Sequence, residues 1–137
     1  MNDCIFCKII AGEIPSVKVY EDDDVIAFMD ISPVIHGHTL VLPKTHVPNL
    51  LEAPDGVLAK VFSVAKRIAN AQMKAFRADG VNIHQTNGAA AGQSVFHLHV
   101  HVIPRYNDDG HSWNWTSRPY ASPDEAARLA QAIRDAL

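Results

Sequence analysis

Three histidines alternate in the run Phe96-His97-Leu98-His99-Val100-His101-Val102-Ile103. Alternation of this kind is the period of an extended strand, in which every second side chain shares a face. The spacing predicts that Leu98, Val100 and Val102 face a core. His97, His99 and His101 would then project together from the other side, about 6.6 Å apart. Imidazole is a nucleophile, acid and base near neutral pH and a common metal ligand. A row of three can be a catalytic group, a metal site or an exposed polar edge. Threonine, lysine or glutamate would serve an exposed edge as well, so the histidines point to chemistry. Just before the row lie Asn87-Gly88 and Gly92-Gln93-Ser94. Glycines let backbone amides approach an anion and Ser94 adds a hydroxyl, which together suit a phosphate. The Gly-x-Ser triplet is not a hydrolase elbow, because a strand follows where that motif needs a helix.

Cys4 and Cys7 form a Cys-x-x-Cys pair, and eight histidines are many for 137 residues. The start Met1-Asn2-Asp3-Cys4 has no basic stretch followed by an apolar core, so no secretory leader and a cytoplasmic location are expected. A stable disulfide is then not expected. The pair reads as a redox couple or as half of a metal site. A thioredoxin-type couple would follow a strand, and three preceding residues leave no room for one.

Such groups need a frame. The composition is 47% apolar and 20% charged, an ordinary globular balance. It argues against a disordered, collagen-like or disulfide-scaffold chain, and the length favours one domain over residues 1–137. No apolar run approaches the roughly 18 residues of a membrane span. Twelve basic and fifteen acidic residues give −3. Residues 1–30 carry two lysines and seven acids, or −5, and the rest +2. With no basic run, neither nucleic acid nor a membrane surface is an expected partner. A phosphate-bearing ligand stays open, because backbone amides and a few histidines can hold one.

Residues 4–11 suit a short helix stopped by Gly12 and Pro15, with both cysteines on one face. Val17–Glu21 and Val25–Met29 read as strands joined by an acidic turn, and Thr39–Pro43 as a third. Over residues 56–79, Leu58, Val61, Phe62, Ala65, Ile68, Ala69, Met73 and Phe76 form the buried stripe of a helix, with Gly80 as its stop. Val81–Gln85 and Val95–Ile103 complete five strands, the last ended by Pro104. Residues 106–121 are irregular and contain Trp113 and Trp115. Ser122-Pro123-Asp124-Glu125 is a capping box that opens a final helix. Five strands and two longer helices with few crossovers predict an α+β fold on a mainly antiparallel sheet.

The run from His97 to Ile103 resembles the H-φ-H-φ-H-φ-φ signature of the histidine-triad nucleotide-binding proteins. So do Phe28-Met29-Asp30-Ile31-Ser32-Pro33, Gly37-His38-Thr39-Leu40-Val41-Leu42-Pro43-Lys44 and Gly92-Gln93-Ser94-Val95-Phe96. The pattern is closer to the Hint branch than to the fragile-histidine-triad dinucleotide hydrolases, and it fades over residues 106–137. The resemblance implies a five-stranded antiparallel sheet with helices, paired as a homodimer. It implies that His99 attacks the α-phosphate of a purine nucleotide, with His97 as first triad member. His101 would donate to the phosphate and Ser94 would assist the leaving group. Asn87, Gly92 and Gln93 would contact phosphate, Asp30 the ribose hydroxyls, and His38 would stand behind the triad. Ile5, Phe6 and Ile26 would wall the base. Bacterial zinc-containing members place ligands at positions matching Cys4, Cys7, His46 and His97, which implies one structural Zn2+ per chain and no catalytic metal. The expected reaction is hydrolysis of an adenosine 5′-phosphoramidate P–N bond, releasing AMP through a nucleotidyl-histidine. Hydrolysis of diadenosine polyphosphates and a nucleotide-binding regulatory module with little turnover are the alternatives. A metal store would leave Asp30, Asn87 and the Gly92–Ser94 loop without a purpose. Trp113 or Trp115 would either reach across a dimer or pack in the core. His36, His84 and His111 receive no role.

Overall fold

The computed structural model describes residues 3–113 and 115–137. Its strands are β1 (Lys18–Glu21), β2 (Val25–Met29), β3 (Thr39–Pro43), β4 (Gly80–His84) and β5 (Val100–Arg105). Its α-helices are α1 (Ile5–Ile10), α2 (Asp55–Phe76) and α3 (Pro123–Ala136). The strands form one antiparallel sheet in the order β1-β2-β3-β5-β4. The acidic turn between β1 and β2 is held by Asp22, whose Oδ1 accepts from the amides of Asp24 and Val25, both at 2.8 Å. That side-chain mimicry of a backbone turn is what aspartate does well. Among the described residues no helix is long and apolar enough to cross a membrane.

The sheet separates two apolar layers. On one face α2 lays Val61, Val64, Ala65 and Ile68 against Val25, Ala27, Val41, Val100 and Val102. On the other, α1 packs Phe6 and Ile9 against Ile26, Phe28, Leu40 and Leu42. The α2 stripe is narrower than its sequence suggests. Phe62, Met73 and Phe76 are each more than a third exposed, and the buried line runs on through Gln72. Gln72 Nε2 donates to the carbonyls of Gly37 and Val102, each at 3.0 Å, pinning a loop to a strand from behind the sheet. Gly37 lies at φ +105, and a Cβ there would stand 2.7 Å from the Phe76 ring. Both the torsion and the close approach call for glycine.

Two boundaries differ from expectation. The α2 helix ends at Phe76, capped by Arg77 in the left-handed region at φ 53. Gly80 therefore opens β4 instead of stopping the helix, and the Asp79 amide already donates to the Arg105 carbonyl at 2.8 Å. β5 begins at Val100 instead of Val95. Upstream, the Leu98 amide donates to Val47 at 2.7 Å and the chain bends away from the sheet. Nor does Pro104 end the strand. It pairs with Val81, and the β3 partners of β5 stop at Val102, so its missing N–H faces no neighbour. The final helix is capped by Ser122 Oγ, which accepts from Glu125, and it has no buried residue.

Candidate functional site

A cleft of about 300 Å3 opens on the α1 face of the sheet. Ile5, Phe6 and Phe28 supply apolar wall, and Asp30, Ser94, His99 and His101 supply polar groups. Ile26 does not line it. It is fully buried in the layer between α1 and the sheet, because its position on β2 points under the helix. Asn87, Gly92 and Gln93 are also outside the lining. Asn87 Oδ1 accepts from the Leu50 amide and from Gln85 Nε2, both at 2.8 Å. Gln93 accepts from the Gly88 amide and donates to the carbonyls of Pro48 and Val95. Both side chains hold the loop in shape. Gly92 sits at φ +100 and closes a short 3-10 turn over Ala89–Ala91.

The bend before β5 separates the three histidines. His97 turns inward and is fully buried, while His99 and His101 stay together in the cleft with ring centroids 5.0 Å apart. His99 Nδ1 lies 2.7 Å from the His97 carbonyl. A carbonyl only accepts, so Nδ1 carries the proton and Nε2 keeps its lone pair. Phe6 stands edge-on to the same ring at 5.0 Å. Burial pushes the His99 pKa down, against the pull of that carbonyl and of Asp30.

Behind His101 the same reasoning runs through three groups. The Val34 amide donates to His38 Nδ1 at 3.1 Å. The proton of neutral His38 is therefore on Nε2, which lies 2.9 Å from His101 Nδ1 and donates to it. His101 is left with its own proton on Nε2. Asp30 Oδ2 lies 3.5 Å from His38 Nε2, and Asp30 Oδ1 accepts from the Ser32 amide at 2.8 Å. Burial and the neighbouring imidazoles push His101 down to about 4, and burial lowers His38 despite Asp30. At neutral pH the cleft presents uncharged imidazoles, one with a free lone pair and one with a free N–H.

The second cluster is built by α1 and by the chain on either side of the sheet's end. Cys4 caps α1, its sulfur accepting from the Cys7 amide at 3.4 Å, so the helix turn itself brings both sulfurs to one side. His97 Nε2 donates to the Pro43 carbonyl at 2.8 Å, which leaves Nδ1 bare. That nitrogen lies 3.5 Å from Cys4 Sγ, 3.6 Å from Cys7 Sγ and 3.1 Å from His46 Nδ1. Cys7 Sγ to His46 Nδ1 is 3.3 Å. A tetrahedral zinc shell, with Zn–N of about 2.0–2.1 Å and Zn–S of about 2.3 Å, has ligand-to-ligand edges of roughly 3.3–3.8 Å. Burial and the adjacent Cys4 push the Cys7 thiol up, so a cation is needed if both sulfurs are to be thiolates. The donor set and its spacing fit Zn2+.

Sequence reasoning passed over His84 and gave Trp113 two alternative uses. His84 is the cross-strand partner of His101, with ring centroids 5.6 Å apart, and Trp113 stacks on it at 5.1 Å. The β4–β5 register is the signal that would have found His84, and one sequence does not display a register. Trp113 thus packs within its own chain, and Trp115 is 92% exposed.

Similarity to known proteins agrees with this geometry. The adenosine 5′-monophosphoramidase hnt1 of Schizosaccharomyces pombe is 40% identical over 131 residues, 95% of each chain. The adenylylsulfatase HINT3 of Arabidopsis thaliana is 50% identical over 108 residues, 79% of this chain and 55% of that one. A crystal structure of a HIT family protein from Bacillus subtilis superposes with a TM-score of 0.92 at 47% identity, covering 98% of this chain and 97% of the other. A zinc-bound histidine triad protein from Mycobacterium smegmatis gives 0.76 at 38% identity, covering 99% of both. Residues 11–108 match the HIT domain, and the chain belongs to the HIT domain family.

Proposed function

We propose that the chain hydrolyses adenosine or related purine nucleotide derivatives at the α-phosphate, with a 5′-phosphoramidate P–N bond as the favoured target. The observation that carries this reading is the pair of fixed tautomers: a bare nitrogen on His99 beside an N–H on His101 in one cleft. His99 Nε2 attacks phosphorus and the P–N bond breaks, and the departing amine takes a proton from the Ser94 hydroxyl, which draws one from solvent as it gives its own. The imidazole becomes a nucleotidyl-imidazolium, whose Nδ1–H the His97 carbonyl continues to hold. His101 Nε2–H donates to a non-bridging oxygen as charge gathers there. Water then attacks phosphorus, the P–N bond to His99 breaks, AMP leaves, and the proton released by water returns to solvent. Asp30 accepts from the ribose hydroxyls, while Ile5 and Phe6 cover the base. The names of the two curated relatives share an adenylyl group and differ in what departs from it, in keeping with a cleft built for the nucleotide.

One Zn2+ per chain, held by Cys4, Cys7, His46 and His97, would tie α1 to the bend that carries the triad and take no part in the chemistry. The cytoplasm, which keeps thiols reduced, suits that ligand set. A homodimer would cover the exposed Phe62, Met73 and Phe76 of α2 and Ile83 on the edge strand β4.

The test is single turnover of adenosine 5′-phosphoramidate by wild type and His99→Ala, with intact-mass detection. Wild type should release AMP through a transient nucleotidyl adduct, and the variant should lose roughly 10³-fold or more in rate and form no adduct. Tight AMP binding without turnover would overturn the reaction in favour of a regulatory binding module. Turnover confined to diadenosine polyphosphates would overturn the choice of leaving group.

A further inference from the structure

We infer that His84 and Trp113 form a strut that positions His101 and ties the segment following β5 to the cleft. The inference rests on the reading that His101 serves the reacting phosphate. His101 is held at one atom by His38 and meets the His99 ring at 5.0 Å. A contact from the neighbouring strand adds to these in setting the plane. His84 supplies that contact, opposite His101 in the β4–β5 register, with the rings 5.6 Å apart at 76°. Trp113 then lies flat on His84, 5.1 Å away and 10° from parallel.

The indole is itself fixed. Its N–H donates to Asn82 Oδ1 at 2.8 Å, and Asn82 stands two residues before His84 on the same strand face. The same oxygen accepts from Arg105 Nη1 at 2.7 Å. Arg105 also grips both carboxylate oxygens of Asp109, at 2.7 and 3.1 Å, and donates to the His111 carbonyl at 2.6 Å. A two-toothed guanidinium–carboxylate pair fixes direction as well as distance. The His111 ring closes the stack, edge-on to Trp113 at 4.8 Å. A continuous path thus runs from the end of β5, through the turn after it, back to the side of His101 away from His38.

Long-range 1H–15N correlation of the His101 ring, assigned with a His101→Gln variant, tests the strut directly. Wild type should show one tautomer with the proton on Nε2. His84→Ala and Trp113→Ala should show averaged ring signals, and His84→Phe and Trp113→Phe should keep the wild-type pattern. With adenosine 5′-phosphoramidate, each alanine variant should lose about tenfold in kcat with KM nearly unchanged. The phenylalanine variants should recover most of that. The double alanine variant should lose no more than the worse single one, because the two residues act as one unit. Melting curves show that each variant is folded, and Trp113, 39% exposed, tolerates change better than a core residue. Unaltered His101 signals in both alanine variants would overturn the strut, as would a rise in KM with kcat intact. A wild type without turnover whose His101 signals still broaden in the alanine variants would sink the proposed reaction and leave the strut standing.

Discussion

Around His97, four ligand atoms converge on one imidazole nitrogen left bare, whereas around His38 three converge with one proton already shared between two of them. Cys4, Cys7, His46 and His97 lie within 4.8 Å of one another, and so do Asp30, His38 and His101. By residue type and distance alone both could hold a metal. The hydrogen bonds outside each cluster separate them. The Pro43 carbonyl takes the only proton of His97 outward, so its inward nitrogen meets His46 at 3.1 Å, lone pair toward ligand. The Val34 amide takes the outward lone pair of His38, so the inward nitrogen brings a proton to His101. A carbonyl behind an imidazole leaves its other nitrogen bare, and an amide behind it makes its other nitrogen a donor. One cluster asks for a cation and the other satisfies itself.

Removing a ligand puts that contrast to its hardest test. Cys7→Ala should lower zinc from one per chain to none. Zinc at about 1,000 times its Kd stabilises by about 4 kcal/mol, so the melting temperature should fall by about 10 °C or more. Metal analysis with calorimetry checks this, and an unchanged melting point would show that α1 needs no cation to stay docked. On the other side, His38→Leu should leave zinc content alone and cut turnover by about 10- to 100-fold, with the His101 proton no longer confined to Nε2. Steady-state kinetics with ring NMR read it, and zinc loss in that variant would erase the distinction between the clusters. The smallest effect is on pH. His101 titrates near 4 in the fold and near 6.5 when unfolded, so the unfolded chain binds more protons between those values. Stability from this group is whole above about pH 6.5 and is lost as pH falls toward 4, by up to about 1.4 kcal/mol per pH unit. Denaturant melts of wild type and His101→Gln across that window should converge as the pH falls.

Much of the frame was legible because local signals agreed with one another. The strands Val25–Met29 and Thr39–Pro43 have the bounds that their apolar runs suggested, and Ser122 caps α3 as its motif implied. The four cluster residues meet in space although 93 positions separate Cys4 from His97. What was not legible depended on partners distant in sequence. Alternation through His97 read as strand, but Val47 and Pro43 claim that stretch with their carbonyls. Ile26 looked like a wall residue until α1 covered it. Asn87 and Gln93 looked like phosphate donors, and their amides are spent on Gln85, Pro48 and Val95. His84 looked like any surface histidine until a register set it opposite His101.

Gln72 reaches from behind the sheet to two carbonyls, those of Gly37 and Val102, and each belongs to the residue next to a member of the His38–His101 pair. The spacing between those two rings is therefore adjusted from the rear. The buried face of α2 works like a set-screw, and a change of side-chain length at position 72 would shift the His38–His101 contact without replacing any residue that lines the cleft.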